Sequence, residues 1–371
     1  MLGATLVRTP ACASDQWGMS LVSDGASARG YGAAMKLGLM WGYWGQLPPP
    51  DVIEITQAAE ASGFDSVWTA EAWGSDAFTP LGWIAGQTST IKLGTSVVQL
   101  SARTPTATAM AAITLDHISN GRFQLGLGVS GPQVVEGWYG RPSDKPLART
   151  REYVEIVRRV IAREEPLDFQ GEFYQHPYNG PGSTGLGKPL KSITHPLRRN
   201  LPIYLGAEGP KNVAQTAEIA DGWLPLYYSP FHQDVYTEPL SKAGPDFDVV
   251  AGAIINITDS VEDGLAAVKM MLAFYIGGMG AKGQNYHTKL MGRFGFEEEA
   301  LAIQDAFFEG RRDDAIKLVP EEFADAISLV GPKERIKERL AAWDDSPVST
   351  LLVYSPGSAH KVREIAELVL G

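Results

Sequence analysis

The feature that most constrains this chain is a repeat of short apolar runs, each followed by a segment of helical periodicity. The runs fall at residues 36–42, 65–72, 91–100, 122–129, 202–207, 223–229, 247–258 and 349–355. Most are apolar almost throughout, with no alternation, and strands that read this way are buried on both faces. The segments between them place apolar residues three and four apart, most clearly at 51–63, at 149–164 and from 358 to the end. Helix ends are marked as well. A proline precedes 51–63 and a glycine ends it, and the helix before the fourth strand stops at Asn120 and Gly121.

Strand and helix alternating eight times predict an α/β fold, a (β/α)8 TIM barrel forming a single domain. A doubly wound open sheet is the alternative. Two stretches exceed the repeat: residues 166–199, loop-like and rich in proline and glycine, and residues 277–325, which begin GGMGAKG and continue into further helices. They read as insertions after strands four and seven, and long insertions in a compact barrel are commonly lids or binding loops. Residues 1–34 are rich in Gly, Ala and Ser and have no periodicity. They are expected to be a disordered N-terminal extension, with the barrel domain at 35–371. Ala11, Cys12 and Ala13 mimic a cleavage site, but the apolar core of a signal peptide is missing.

Composition narrows the function. The single cysteine excludes an intramolecular disulfide and a cysteine-rich zinc site. A net charge of −11 argues against nucleic-acid binding, which needs a basic face. No apolar run approaches the roughly 20 residues of a membrane span. A cytoplasmic protein acting on a small molecule is expected, with no nucleic-acid or membrane partner. The six histidines are scattered, and no metal, hydrolase or P-loop motif is present. The charges at Glu152, Glu155, Arg158 and Arg159 read as the solvated face of a helix.

Two glycine-rich strand ends remain. Gly126, Gly128 and Gly131 match a dinucleotide fingerprint, but Pro132 and more loop follow where a helix should open. The other reading is that these glycines clear space for a flat ligand. The second strand end, GAEGP at 206–210, is followed by a helix, so free N–H groups and the helix N-terminus make it a phosphate site or else a plain tight turn. Residues 93–97 read from spacing alone as a core strand. A barrel with these features and no metal suggests chemistry borne by a cofactor.

From Met35 onward the chain resembles the bacterial-luciferase-like superfamily, within it the oxidoreductases that use the 5-deazaflavin coenzyme F420. The resemblance rests on GFDSVW (63–68), LGTSV (93–97), NGRFQLGLG (120–128), RTREY (149–153), YLGAEGP (204–210) and DGW (221–223). It implies a non-prolyl cis peptide at Ser96 and Val97 supporting the deazaflavin ring. It also implies a phosphate-binding loop at Gly206, Ala207, Glu208 and Gly209, and further cofactor contacts at Trp44, Gly128, Ser130 and Tyr153. Trp44 and Trp73 would wall the substrate side. Glu71 or Glu136 would exchange the proton that accompanies a hydride. The family's sugar-phosphate dehydrogenase branch has His after the acid of strand two and a glutamate after strand four. This chain has Ala72 and Ser130-Gly131-Pro132, so the resemblance stops short of that branch. An oxidoreductase acting on a small organic substrate follows, with an FMN-dependent monooxygenase or a non-catalytic cofactor-binding protein as alternatives. The resemblance also implies a homodimer.

Overall fold

The apolar runs become the staves of a closed parallel barrel. The computed structural model describes residues 35–354 and 356–371. The expected N-terminal extension, Cys12 and Ser355 lie outside the described residues. The staves are β1 (Lys36–Gly42), β2 (Ser66–Thr69), β3 (Lys92–Thr95, continued by Val98–Gln99), β4 (Phe123–Gly128), β5 (Ile203–Gly206), β6 (Gly222–Leu224), β7 (Asp248–Ile257) and β8 (Thr350–Tyr354). Each pairs in parallel with the next, and β8 closes the ring on β1 with Leu37 opposite Leu351. Around them lie α1 (Val52–Ala61), α2 (Phe78–Ala85), α3 (Pro105–Ile118), the short α4 (Pro132–Gly137), α5 (Pro146–Ala162), α6 (Pro210–Ile219) and α7 (Val261–Gly278). Among the described residues no helix is long and apolar enough to cross a membrane.

Three strands differ from the sequence reading. The run 223–229 supplies only Gly222–Leu224. Pro225 has no N–H for the ladder, and the chain turns away there, carrying Tyr227 and Tyr228 out of the sheet. The run 91–100 is interrupted at Ser96 and Val97, whose joining peptide is cis, as the resemblance implies. A further four-residue strand, Ser328–Gly331, pairs with the far end of β7 and escapes the repeat altogether.

The insertion after β7 folds as α8 (Tyr286–Arg293), α9 (Glu297–Phe308) and two short helices, Arg312–Lys317 and Glu321–Ala326. Asn285 seats it. Its side-chain oxygen accepts from the N–H groups of His287 and Thr288, while its amide donates to the Tyr275 and Ile276 carbonyls at the end of α7. The insertion after β4 is irregular except for a small hairpin, Phe169–Gln170 against Gln175–His176. Here α5 departs from a merely solvated face. The Glu152 carboxylate accepts from the N–H groups of Glu172, Phe173 and Tyr174, and Arg149 lies over the Phe173 ring at 4.2 Å. The charged motif at 149–153 therefore holds the hairpin turn.

Inside the barrel, Trp68 and Tyr204 form a plug. Their rings meet edge to face at 5.6 Å, the indole N–H donates to Ser66 Oγ at 2.9 Å, and the Tyr204 hydroxyl donates to Asp248 at 2.8 Å. The indole lies so close over Gly94 that a Cβ there would overlap it. Overpacking of this kind costs about 1–3 kcal/mol. Gly94→Ala is expected to lower the denaturant midpoint accordingly. An unchanged unfolding curve would show that the plug is looser than its geometry.

Candidate active site

The carboxyl ends of the staves form the mouth of the barrel, the end where barrel active sites lie. The interrupted β3 sets its rim. The Ser96 N–H donates to the Thr69 carbonyl at 2.6 Å, and the Glu71 N–H donates to the Val97 carbonyl at 3.2 Å. Gly126 and Gly128 do not clear space for a ligand. A Cβ at Gly126 would overlap the Thr95 carbonyl, and one at Gly128 would lie 2.5 Å from Val97 Cγ2. The room they provide is filled by the Ser96–Val97 bulge itself. Val97, Tyr43 and Tyr354 pack against an interior layer that includes Met40, Ala70 and Leu224, which gives the mouth an apolar floor.

The 206–209 loop lies beside this bulge: a Cβ at Gly206 would be 3.1 Å from Val97 Cγ1. Gly209 precedes α6 and offers no side-chain cap. Among the described residues, the N–H groups of Glu208, Gly209 and Lys211 have no acceptor. Free N–H groups at the positive end of a helix suit a phosphate. A Cβ at Gly209 meets nothing within 4 Å, so the loop has open space in front of it. These features fit the phosphate of a flavin or deazaflavin side chain.

The other expected site residues scatter. The Glu71 carboxylate is buried and sealed. Oε1 accepts from the Gln99 N–H at 2.9 Å and from Arg103 at 2.8 Å, and Oε2 accepts from Arg103 at 2.9 Å and the Ala77 N–H at 3.2 Å. A proton on either oxygen would have to displace one of these donors. Glu136 is exposed on α4 and accepts from the Ser143 hydroxyl. Tyr153 is fully buried, with its hydroxyl 2.6 Å from Thr108 Oγ1. Burial pushes its phenol far above the ordinary range, and it belongs to the core. Ser130, at a positive φ of 60°, lines a cavity of about 640 Å³ that also touches Arg141, Arg149 and Tyr286. Trp44 borders a smaller cleft of about 300 Å³ with Gly74, Asp76 and Pro80, while Trp73 is half exposed.

The sequence reading misses an aromatic cluster beside the 206–209 loop. The Tyr227 ring stands edge-on to Tyr275 at 6.0 Å and to His287 at 5.7 Å, and the Tyr43 and Tyr275 hydroxyls are 3.4 Å apart. Burial raises the phenols of Tyr227 and Tyr275 well above their usual range and that of Tyr354 to about 12. His287 Nδ1 is 2.8 Å from Glu208 Oε1, and Arg293 donates to the Glu208 carbonyl at 2.6 Å. Both ends of α8 therefore grip the 206–209 loop, and the insertion after β7 borders the mouth. No spacing rule joins Glu208 to His287. Only the position of Tyr43 and Tyr354 at strand ends could have hinted at the cluster.

Comparisons with known proteins place the chain in a family. Residues 21–350 match the model of a family described as luciferase-like monooxygenase. A Mycobacterium tuberculosis protein named as a coenzyme F420-dependent oxidoreductase is 52% identical over 91% of this chain and 99% of its own. A 5,10-methylenetetrahydromethanopterin reductase of Archaeoglobus fulgidus is 31% identical over 83% of this chain and 90% of its own. Among solved structures, the coenzyme F420-dependent tetrahydromethanopterin reductase of Methanopyrus kandleri superposes with a TM-score of 0.72, covering 91% of this chain and 99% of that one at 23% identity. With a family model spanning most of the barrel and a relative sharing half its residues, the chain belongs to the luciferase-like family.

Proposed function

We propose that the chain is a coenzyme F420-dependent oxidoreductase that moves a hydride to or from a small organic substrate. The observation that carries this reading is the adjacency of two devices at the mouth: the Ser96–Val97 bulge and, against it at Gly206, a loop with unpartnered N–H groups. A ring over the bulge and a phosphate on the loop belong to one ligand. The names of the relatives from Mycobacterium tuberculosis and Archaeoglobus fulgidus support a deazaflavin-linked redox role. When bound, the deazaflavin supplies a two-electron hydride carrier.

The chain's own residues do the rest. The N–H groups of Glu208 and Gly209 would hold the phosphate, and Val97, Met40 and Leu224 would support the ring. The helix α8, latched to Glu208, would limit water at the mouth. Such a site acts by orientation and by excluding water. Anaerobic titration with reduced coenzyme F420 is expected to show saturable binding. No binding at high micromolar concentration would sink the proposal.

An FMN-dependent monooxygenase is the second reading, favoured by the family description and by a monooxygenase of Streptomyces bottropensis with the same fold at a TM-score of 0.62. It predicts tighter binding of FMN than of coenzyme F420, and oxygen uptake driven by NADH and a flavin reductase.

A further inference from the structure

The larger cavity, of about 640 Å³, has no task in the reading above. Its inner wall includes Leu100 and Val129, which directly follow β3 and β4. The Leu100 N–H donates to the Gly128 carbonyl at 3.0 Å, and Gly128 lies against Val97. The cavity therefore adjoins the proposed ring site. Its outer wall is formed by Phe173, Tyr174 and Tyr178, on and just after the hairpin, and by Tyr286 of α8. A volume between about 300 and 1,000 Å³ with an apolar and aromatic lining suits a small organic molecule.

The lining is one-sided in charge. In a chain of net charge −11, no aspartate or glutamate lines this cavity among the described residues, whereas Arg103, Arg141 and Arg149 do. Arg103 is committed to Glu71. Among the described residues the Arg141 side chain has no ion pair or hydrogen bond. Arg149 donates to Asp144 through Nε and Nη2, and its Nη1 has no acceptor. Burial holds the Tyr174 phenol above its usual range, while the charges of Arg149 and Arg141 both favour its ionised form, so two guanidiniums act on one protonated hydroxyl. The helices α3 and α5 begin at the wall with Pro105 and Pro146, and the first turn of α5 has no side-chain cap. Their positive ends add to the attraction for an anion.

We propose that this cavity receives the substrate and that the substrate is an organic acid: a carboxylate held by Arg141 and Arg149, on an apolar or aromatic body that packs against Leu100, Val129 and Phe173 and extends toward the bulge. The inference rests on the proposed function, which places the hydride carrier at that bulge. The planar fork of a guanidinium matches the two oxygens of a carboxylate, and the Tyr174 hydroxyl is a further donor. A neutral molecule would gain nothing from the two guanidiniums, and a bare inorganic anion nothing from the aromatic wall. The coenzyme's phosphate has its own seat at the 206–209 loop, so these cations are not needed there.

The probe is 4-phenylbutyrate, with 4-phenylbutyramide as its uncharged counterpart and acetate as a carboxylate without an apolar body. Binding is followed by ligand-observed NMR in protein loaded with oxidised coenzyme F420. The acid is expected to bind about tenfold more tightly than either comparison compound, or better. Arg141→Gln is expected to weaken its binding about tenfold, the loss of one charged hydrogen bond, and to leave the thermal midpoint and coenzyme affinity unchanged. Arg149→Lys, which keeps the charge but not the fork, is expected to cost less than that. Equal binding of acid and amide, equal binding of the acid to wild type and Arg141→Gln, or no binding of the acid at low millimolar concentration overturns the proposal. Acetate that binds as tightly as 4-phenylbutyrate overturns it too, since the site would then read a bare anion. So does acid that binds the coenzyme-free chain and is displaced by coenzyme F420, which would give the cavity to the coenzyme's own anionic end. Failure of the chain to bind the coenzyme overturns the proposed function instead, and the cavity is then judged by the same acid and amide on the coenzyme-free chain.

Discussion

Gly209→Leu is expected to weaken coenzyme F420 binding by one to two orders of magnitude while leaving the thermal midpoint where it was. The asymmetry comes from the geometry of the loop. Gly209 has an ordinary negative φ of −74°, so a side chain brings no backbone strain. A Cβ there meets nothing within 4 Å, so it brings no clash either. The same open space lies in front of the unpartnered N–H groups of Glu208 and Gly209, and a leucine would occupy it. Each N–H bond to a charged phosphate oxygen is worth about 1.5–3 kcal/mol, and about 1.4 kcal/mol is a factor of ten in affinity. Losing one such bond gives the stated range. Gly206→Val is a useful contrast. Its Cβ would press on Val97, so it should disturb the bulge and the loop together. Fluorescence titration with coenzyme F420, beside thermal unfolding of the same variants, reads both quantities. Unchanged affinity in Gly209→Leu would place the phosphate elsewhere.

The barrel itself was legible because its signal is local and repeated. Strands buried on both faces are continuous apolar runs, and helices that cover them have one apolar stripe, so residues 36–42 and 51–63 announce themselves without tertiary knowledge. The misread elements are those in which a single residue or a distant partner decides. Pro225 ends β6 after three residues although Leu226, Tyr227 and Tyr228 continue the apolar run. The strand Ser328–Gly331 is too short to show a period and is fixed by its pairing with Ile254–Ile257. The site divides the same way. The 206–209 loop was visible because glycines and a helix start are adjacent in sequence. The Glu208–His287 contact was not, since it joins a strand end to an inserted helix. Glu71 illustrates a different limit. A carboxylate at a strand end looks the same in sequence whether it faces a substrate or an arginine, and Arg103, well downstream, decides which.

That pairing gives the largest stability effect expected of a single substitution at the site. The Glu71 side chain is 3% exposed and Arg103 is 22% exposed, with both carboxylate oxygens within hydrogen-bond reach of one guanidinium nitrogen. Removing one partner of a buried pair leaves an uncompensated charge and typically costs about 3–5 kcal/mol. Arg103 is partly open to water, which would hydrate the orphaned carboxylate, so about 3 kcal/mol is expected for Arg103→Leu. Glu71→Gln in the Arg103→Leu background should recover part of that loss, because the neutral amide can still accept from one of the two N–H groups. A double-mutant cycle measures the coupling directly. The consequence for binding follows from the anchors around the bulge. The Glu71 N–H donates to the Val97 carbonyl, and Oε1 accepts from the Gln99 N–H, so the carboxylate pins the chain on the far side of the Ser96–Val97 peptide. Arg103→Leu should therefore weaken coenzyme F420 binding as well as the fold. If Glu71 were instead the acid that serves the substrate, Glu71→Gln would abolish turnover with stability and coenzyme affinity intact. Stability, affinity and turnover measured on the same two variants separate a carboxylate that holds the rim from one that donates a proton.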